Sequence, residues 1–175
     1  MPVGRGSQTA RGELRLYGWM LALAAVVLLA DQTSKIWAIS ALSDGERIPV
    51  IPELIQLRLL YNPGAAFSIG VNATWVFALA AAIAVIGILY VGRRLRSPAW
   101  TAALGGLLGG AASHLLDRLL RSPGFGRGHV VDFIDYGGLF VGNVADIALV
   151  GSCALLMLLS LRDIPLGGVA DKGHA

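Results

Sequence analysis

Four aspartates stand where a carboxylate is costly. Asp31, Asp117, Asp132 and Asp146 each border a long apolar run of the 175-residue chain. Acids at the ends of membrane-compatible segments mark either local ion pairs or functional sites, because desolvating them is expensive. Asp31 precedes Lys35 by one helical turn, the favourable order for an i,i+4 ion pair. Asp117 is followed directly by Arg118, and adjacent side chains on a helix do not face each other. Each of those two is therefore expected to find its partner elsewhere, as in the outer loop. Asp132 and Asp146 differ, lying in HVVDFID and GNVADIALV with no basic residue within a helical turn. Two carboxylates sharing a partly desolvated site cannot both ionise easily, so the pair retains one proton. Such a pair can activate water as a base while protonating a carbonyl or a leaving amine as an acid. From the residues alone, helix caps and a cation-binding pair remain the alternatives.

The elements that carry these acids belong in a membrane. The chain is 55% apolar and 14% charged, with a mean hydropathy of +0.68. Soluble domains average roughly 45–50% apolar and about 25% charged. The 23 glycines show no three-residue period, which excludes a collagen-like chain, and the apolar content excludes disorder. A net charge of +3 is too small to argue for nucleic acid. Cys153 stands alone, so neither a disulfide framework nor a thiolate metal cluster is expected, and in its apolar helix it reads as a packing residue. Three scattered histidines make a zinc site unexpected, and no metal or other cofactor is called for. Glycine-rich phosphate cradles and G-x-S-x-G elbows are absent.

A spanning helix needs about 20 apolar residues. Four stretches approach or meet this: Leu16–Ala30 with a helical continuation through DQTSKIWAIS, Asn72–Gly92, Ser97–Leu116, and Leu139–Leu161, interrupted near its start by Asp146. The first could be a cleaved signal peptide, but no A-x-A site follows, and it reads as an uncleaved helix. Arg5, Arg11, Arg15, Arg93, Arg94, Arg96, Arg162 and Lys172 concentrate on one face, whereas the acids concentrate on the other. The positive-inside bias then puts both termini in the cytoplasm and two long loops outside. The outer stretch RIPVIPELIQLRLLYN is compatible with short strands lying on the membrane. In the third span Gly105, Gly106, Gly109 and Gly110 form two overlapping small-xxx-small pairs, a device for close helix approach in lipid. Trp37, Trp75 and Trp100 fall near span ends as interfacial anchors. Asn62-Pro63-Gly64 reads as a turn. The fold expected is an all-α membrane protein of four transmembrane helices, with a small extracytoplasmic β-like segment between the first two. Residues 1–165 form one domain, and 166–175 a short polar cytoplasmic tail. No internal repeat is visible.

Taken together, DQTSK (Asp31 to Lys35), NPGAAF (Asn62 to Phe67), LLDR (Leu115 to Arg118), VVDF (Val130 to Phe133) and NVAD (Asn143 to Asp146) resemble the signal peptidase II, or lipoprotein signal peptidase, family. The resemblance covers nearly the whole chain between its two tails. It implies a membrane aspartic endopeptidase that acts on bacterial prolipoproteins carrying a diacylglyceryl group, cutting just before the lipidated cysteine. It implies Asp132 and Asp146 as the catalytic pair and no cofactor. Asn62, Gly64, Arg118 and Asn143 match positions that line or support the site, and Asp31 and Lys35 match a motif at the end of the first helix. Asp117 is expected to brace the fold. Prolipoprotein and membrane lipid are the implied partners, with no nucleic acid, and the bacterial cytoplasmic membrane the implied location.

Two departures stand out. Ser113-His114 occupies a place where the family usually has Gly-Asn, and Gly142 a place where it usually has Phe. His114 lies one helical turn before Arg118, so both can face the same polar site. Its protonation is expected to favour two ionised aspartates and deplete the singly protonated pair. Two other classes compete with a peptidase: a proton- or cation-coupled transporter relaying charge through Asp31, Asp132 and Asp146, and a scaffold without activity. A transporter calls for acids near mid-bilayer, whereas here they cluster at one face.

Overall fold

A computed structural model of the chain describes residues 5–64 and 73–167. Residues 65–67 of the NPGAAF segment, the expected start of the second span at Asn72, and the tail from residue 168 lie outside the described residues. The elements run α1 (Arg5–Ala41), β1 (Ile48–Ile51), β2 (Ile55–Asn62), α2 (Thr74–Gly92), α3 (Pro98–Leu120), β3 (Val130–Tyr136), β4 (Val141–Gly142) and α4 (Val144–Leu161). Three of these, α1, α2 and α4, are long and apolar enough to cross a membrane.

α3 is the central helix and packs against the other three. Its four glycines explain how. Gly105 and Gly109 lie against α1, where an added Cβ would meet the Met20 carbonyl at 3.0 Å and the Ala24 carbonyl at 2.7 Å. Gly106 and Gly110 lie against α4, where a Cβ at Gly110 would stand 3.0 Å from the Ala145 carbonyl. One helix thus carries two seams, each a small residue repeated every four, and each admits one neighbour's backbone. At the end of the helices where the basic residues concentrate, Arg96 pairs with Glu13 at 2.6 Å and Trp100 donates to the Ile164 carbonyl at 2.9 Å. Trp37 and Trp75 are exposed at helix ends, as anchors require.

The sheet departs from the expectation of a β-like segment confined between the first two helices. It has four antiparallel strands in the order β1-β2-β3-β4, and half of them come from between α3 and α4. VVDFIDY forms β3, paired to β2 through Leu60 opposite Asp132 and Asn62 opposite Val130. Its β-branched residues are bounded by glycines, and Gly137 and Gly138 turn the chain at φ of 61° and 77° into β4. The expected start of the last span at Leu139 is displaced for the same reason. Residues 139–142 complete this hairpin, and the helix begins only at Val144. Cys153 is also corrected: it lies exposed on the apolar surface of α4 rather than in the core.

Candidate active site

Asp132 leaves β3 into a buried setting, 2% exposed. Its Oδ2 accepts from Asn62 Nδ2 at 3.0 Å, and its Oδ1 from Asn143 Nδ2 at 2.6 Å. Burial pushes its carboxyl up to about 7; the Asn62 amide opposes that rise and the Asp146 charge adds to it. Asp146 occupies the first turn of α4, where Asn143 is the N-cap. The two form a reciprocal capping box: Asn143 Oδ1 accepts from the Asp146 N–H at 3.0 Å, and Asp146 Oδ2 accepts from the Asn143 N–H at 2.9 Å. Asp146 is therefore a cap, one of the alternatives left open by its sequence setting, and is also more than a cap. Its Oδ1 stays directed at His114 Nε2, 3.4 Å away. Asn143, wholly buried, touches both aspartates with one amide.

A cavity of about 490 Å³ joins these groups. Asp132, Asp146, Asn62, Gly64, His114 and Arg118 line it, together with Phe77, Leu139, Phe140, Val141 and Val150. The polar groups gather on a minor part of the wall, and most of the wall is apolar. Arg118, buried at 4% exposure, spends its guanidinium on backbone oxygens. Nη1 donates to Asn62 O at 3.1 Å, Pro63 O at 3.0 Å and Gly128 O at 3.0 Å, and Nη2 donates to Gly64 O. The Asn62 side chain closes the same turn by accepting from the Gly64 N–H at 3.0 Å. Arg118 thus fixes the turn that aims Asn62 at Asp132.

Beneath the cavity lies a buried ion cluster. Lys35 Nζ bridges Asp31 Oδ2 at 2.6 Å and Asp117 Oδ2 at 2.7 Å, and all three side chains are essentially inaccessible. The i,i+4 pair read from the sequence is present. Asp117 finds its partners away from Arg118, as expected: Lys35 and Gln32 of α1, and Arg121 just past the end of α3. The cluster reaches the site through two backbone groups. Asp31 Oδ1 accepts the Ala145 N–H at 2.8 Å, and Asp117 Oδ2 accepts the Val131 N–H at 3.3 Å. Ala145 and Val131 are the residues directly before Asp146 and Asp132. Asp31, Lys35 and Asp117 therefore support the pair from below and do not line the cavity.

Sequence reasoning missed several members of this arrangement. Ser113, fully buried, donates to Asp31 Oδ2 at 2.6 Å and accepts from Gln32 at 2.9 Å. Asp135, on the strand of Asp132, holds Arg58 at 2.6 Å at the cavity edge. Asp135 gains its partners only once β3 pairs with β2, and Ser113, read only as a departure from the family pattern, gains its partners only from α1.

Comparisons with known proteins bear on the fold and the family. A solved bacterial membrane enzyme, determined by the in meso method, superposes with a TM-score of 0.72 at 26% identity, covering 90% of this chain and 95% of that one. With three span-length apolar helices, the fold defines a multi-pass membrane protein of the class of that enzyme. The family model of signal peptidase II matches residues 23–162. A lipoprotein signal peptidase of Leifsonia xyli is 46% identical over 156 residues, 86% of this chain and 72% of that protein. That of Mycobacterium tuberculosis is 43% identical over 158 residues, 90% of this chain and 78% of that protein. The chain belongs to the signal peptidase II family.

Proposed function

We propose that this chain is a membrane aspartic endopeptidase that removes signal peptides from diacylglyceryl-modified prolipoproteins, cutting just before the lipidated cysteine. The observation that carries the reading is Asn143, whose one amide ties Asp132 and Asp146 into a single cavity wall in a chain of this family. Asp132, kept up by burial, holds the shared proton, and Asp146 is the base. Asp146 takes a proton from water as that water attacks the scissile carbonyl carbon, while Asp132 gives its proton to the carbonyl oxygen. Asp146 then passes its proton to the departing amide nitrogen as the C–N bond breaks, and Asp132 recovers a proton from a hydroxyl of the gem-diol. The pair returns to its starting state without a cofactor. The apolar part of the cavity wall, with Phe77, Leu139, Phe140 and Val150, suits a substrate whose acyl chains stay in lipid.

In this reading α3 is a fourth span, both termini are cytoplasmic, and the sheet and cavity lie on the outer face of a bacterial cytoplasmic membrane. Residues 1–165 make the peptidase domain and 166–175 its tail. The test is incubation of purified protein with a diacylglyceryl-modified prolipoprotein. Asp132→Asn and Asp146→Asn should each lower cleavage at least roughly a hundredfold while the protein still inserts and folds. Near-normal turnover in either variant removes that aspartate from the mechanism. Chelators should leave the rate unchanged, because a shared-proton pair activates water without a Lewis acid. Loss on chelation, restored by a divalent ion, would recast the acids as ligands.

A further inference from the structure

His114 has a place that a water-activating pair does not by itself explain. It lines the cavity from α3, with Nε2 3.4 Å from Asp146 Oδ1 and 3.4 Å from Asn143 Oδ1. The Asn143 amide is oriented by its other bonds, since Nδ2 donates to Asp132 and Oδ1 accepts from the Asp146 N–H. Nε2 therefore faces two acceptors and suits them only when it carries hydrogen. In the neutral ring, Nδ1 then keeps the lone pair. A proton taken up at Nδ1 makes the ring cationic without moving Nε2.

The charged groups around it are already committed. On α3 itself, Arg118 is bonded to backbone oxygens and Asp117 to Lys35. From α1, Asp31 and Lys35 close on each other. The α2 wall presents Phe77 and Ala81, which carry no charge. From β2, Arg58 is held by Asp135. From β3, Asp132 reaches His114 through Asn143, and the Tyr136 phenol is held neutral, by burial first and by Asp146 second. From α4 comes Asp146, the one acid at 3.4 Å.

We propose that His114 is a positioning residue for Asp146, orienting its carboxylate through Nε2–H, and that the charge the ring can carry there extends the activity of the pair to lower pH. The proposal rests on the peptidase reading of the pair. The acid limb is set by the pair taking up its second proton, and a cation 3.4 Å from Asp146 Oδ1 opposes that step. This reverses the sign expected from the sequence, which treated the charge as acting on both aspartates alike. The geometry sets it against the partner that must stay ionised, while Asp132 stands behind the Asn143 amide.

The experiment is a pH–rate profile of the full chain in proteoliposomes on the lipid-modified substrate, for wild type, His114→Asn and His114→Gln. Both amides retain a donor and cannot become cationic. The acid-limb midpoint should rise by about one pH unit in both variants, the lower end of what an adjacent opposite charge does to a carboxylate. An acid limb that stays in place or moves to lower pH overturns the proposal. A second readout needs no turnover. In histidine-labelled protein, the His114 ring signal, assigned by its loss in His114→Asn, should change its pH dependence in Asp146→Asn. An unmoved signal also overturns the coupling. Absence of cleavage by wild type at every pH sinks the peptidase reading instead, and the ring titration then decides alone whether His114 and Asp146 are coupled.

Discussion

Asn143 concentrates several tasks in one side chain, so its replacement separates positioning from binding. Asn143→Ala removes the donor to Asp132 Oδ1 and the acceptor that caps α4. Loss of such a cap costs roughly 1 kcal/mol, which a stable membrane protein tolerates. The expected outcome is a fall in kcat of at least about tenfold with KM little changed, read from steady-state kinetics on the lipid-modified substrate. Asp132 carries a second prediction. Its carboxyl is raised from 3.8 to about 7, so the folded state binds this proton more tightly than the unfolded state. The stability it contributes is fully present below about 4 and is lost as pH rises through about 7. Thermal midpoints of wild type should therefore decline from pH 5 to pH 8, and Asp132→Asn should remove that part of the slope. Asp132 and Asp146 were legible because an acid in an apolar frame with no nearby base demands an explanation. Ser113 and Gln32 were not, because a small polar residue in a helix acquires meaning only from the neighbour it faces.

The glycines of α3 predict distinct consequences for its two seams. Gly109→Ala drives a methyl into the Ala24 carbonyl and Val27 of α1, whereas Gly110→Ala presses on Leu149 and the Ala145 carbonyl of α4. Both should lower the thermal midpoint in detergent by an amount corresponding to about 1–3 kcal/mol of overpacking. Gly110→Ala should in addition depress kcat, because Ala145 directly precedes Asp146. Equal activity losses from the two substitutions would argue against this division. The seams were readable from glycine spacing alone. β3 was not, since seven residues between two membrane-compatible runs carry too little periodicity to oppose a loop, and its pairing with β2 is a contact between residues some 70 positions apart, as Asn62 and Asp132 show.

Beyond single elements, the Asp31–Lys35–Asp117 cluster ties α1, α3, α4 and β3 at one point. Lys35→Met would leave two buried carboxylates facing each other, and breaking a buried pair costs about 3–5 kcal/mol. Loss of folded protein on size exclusion is the expected result, with partial recovery in Lys35→Met/Asp117→Asn. Another consequence concerns biogenesis. An insertion machinery that judges each segment by its own apolarity accepts α1, α2 and α4 readily. α3, with four glycines and Asp117-Arg118 at its end, is the weak candidate, and it emerges from the ribosome after its α1 partner but before α4. In the four-span reading proposed above, its commitment to the bilayer is thus expected to depend on Lys35 already waiting there to receive Asp117. A Lys35 variant should then err before it ever unfolds, with residues beyond α3 stranded on the wrong side of the membrane, as protease protection of a carboxy-terminal reporter would reveal.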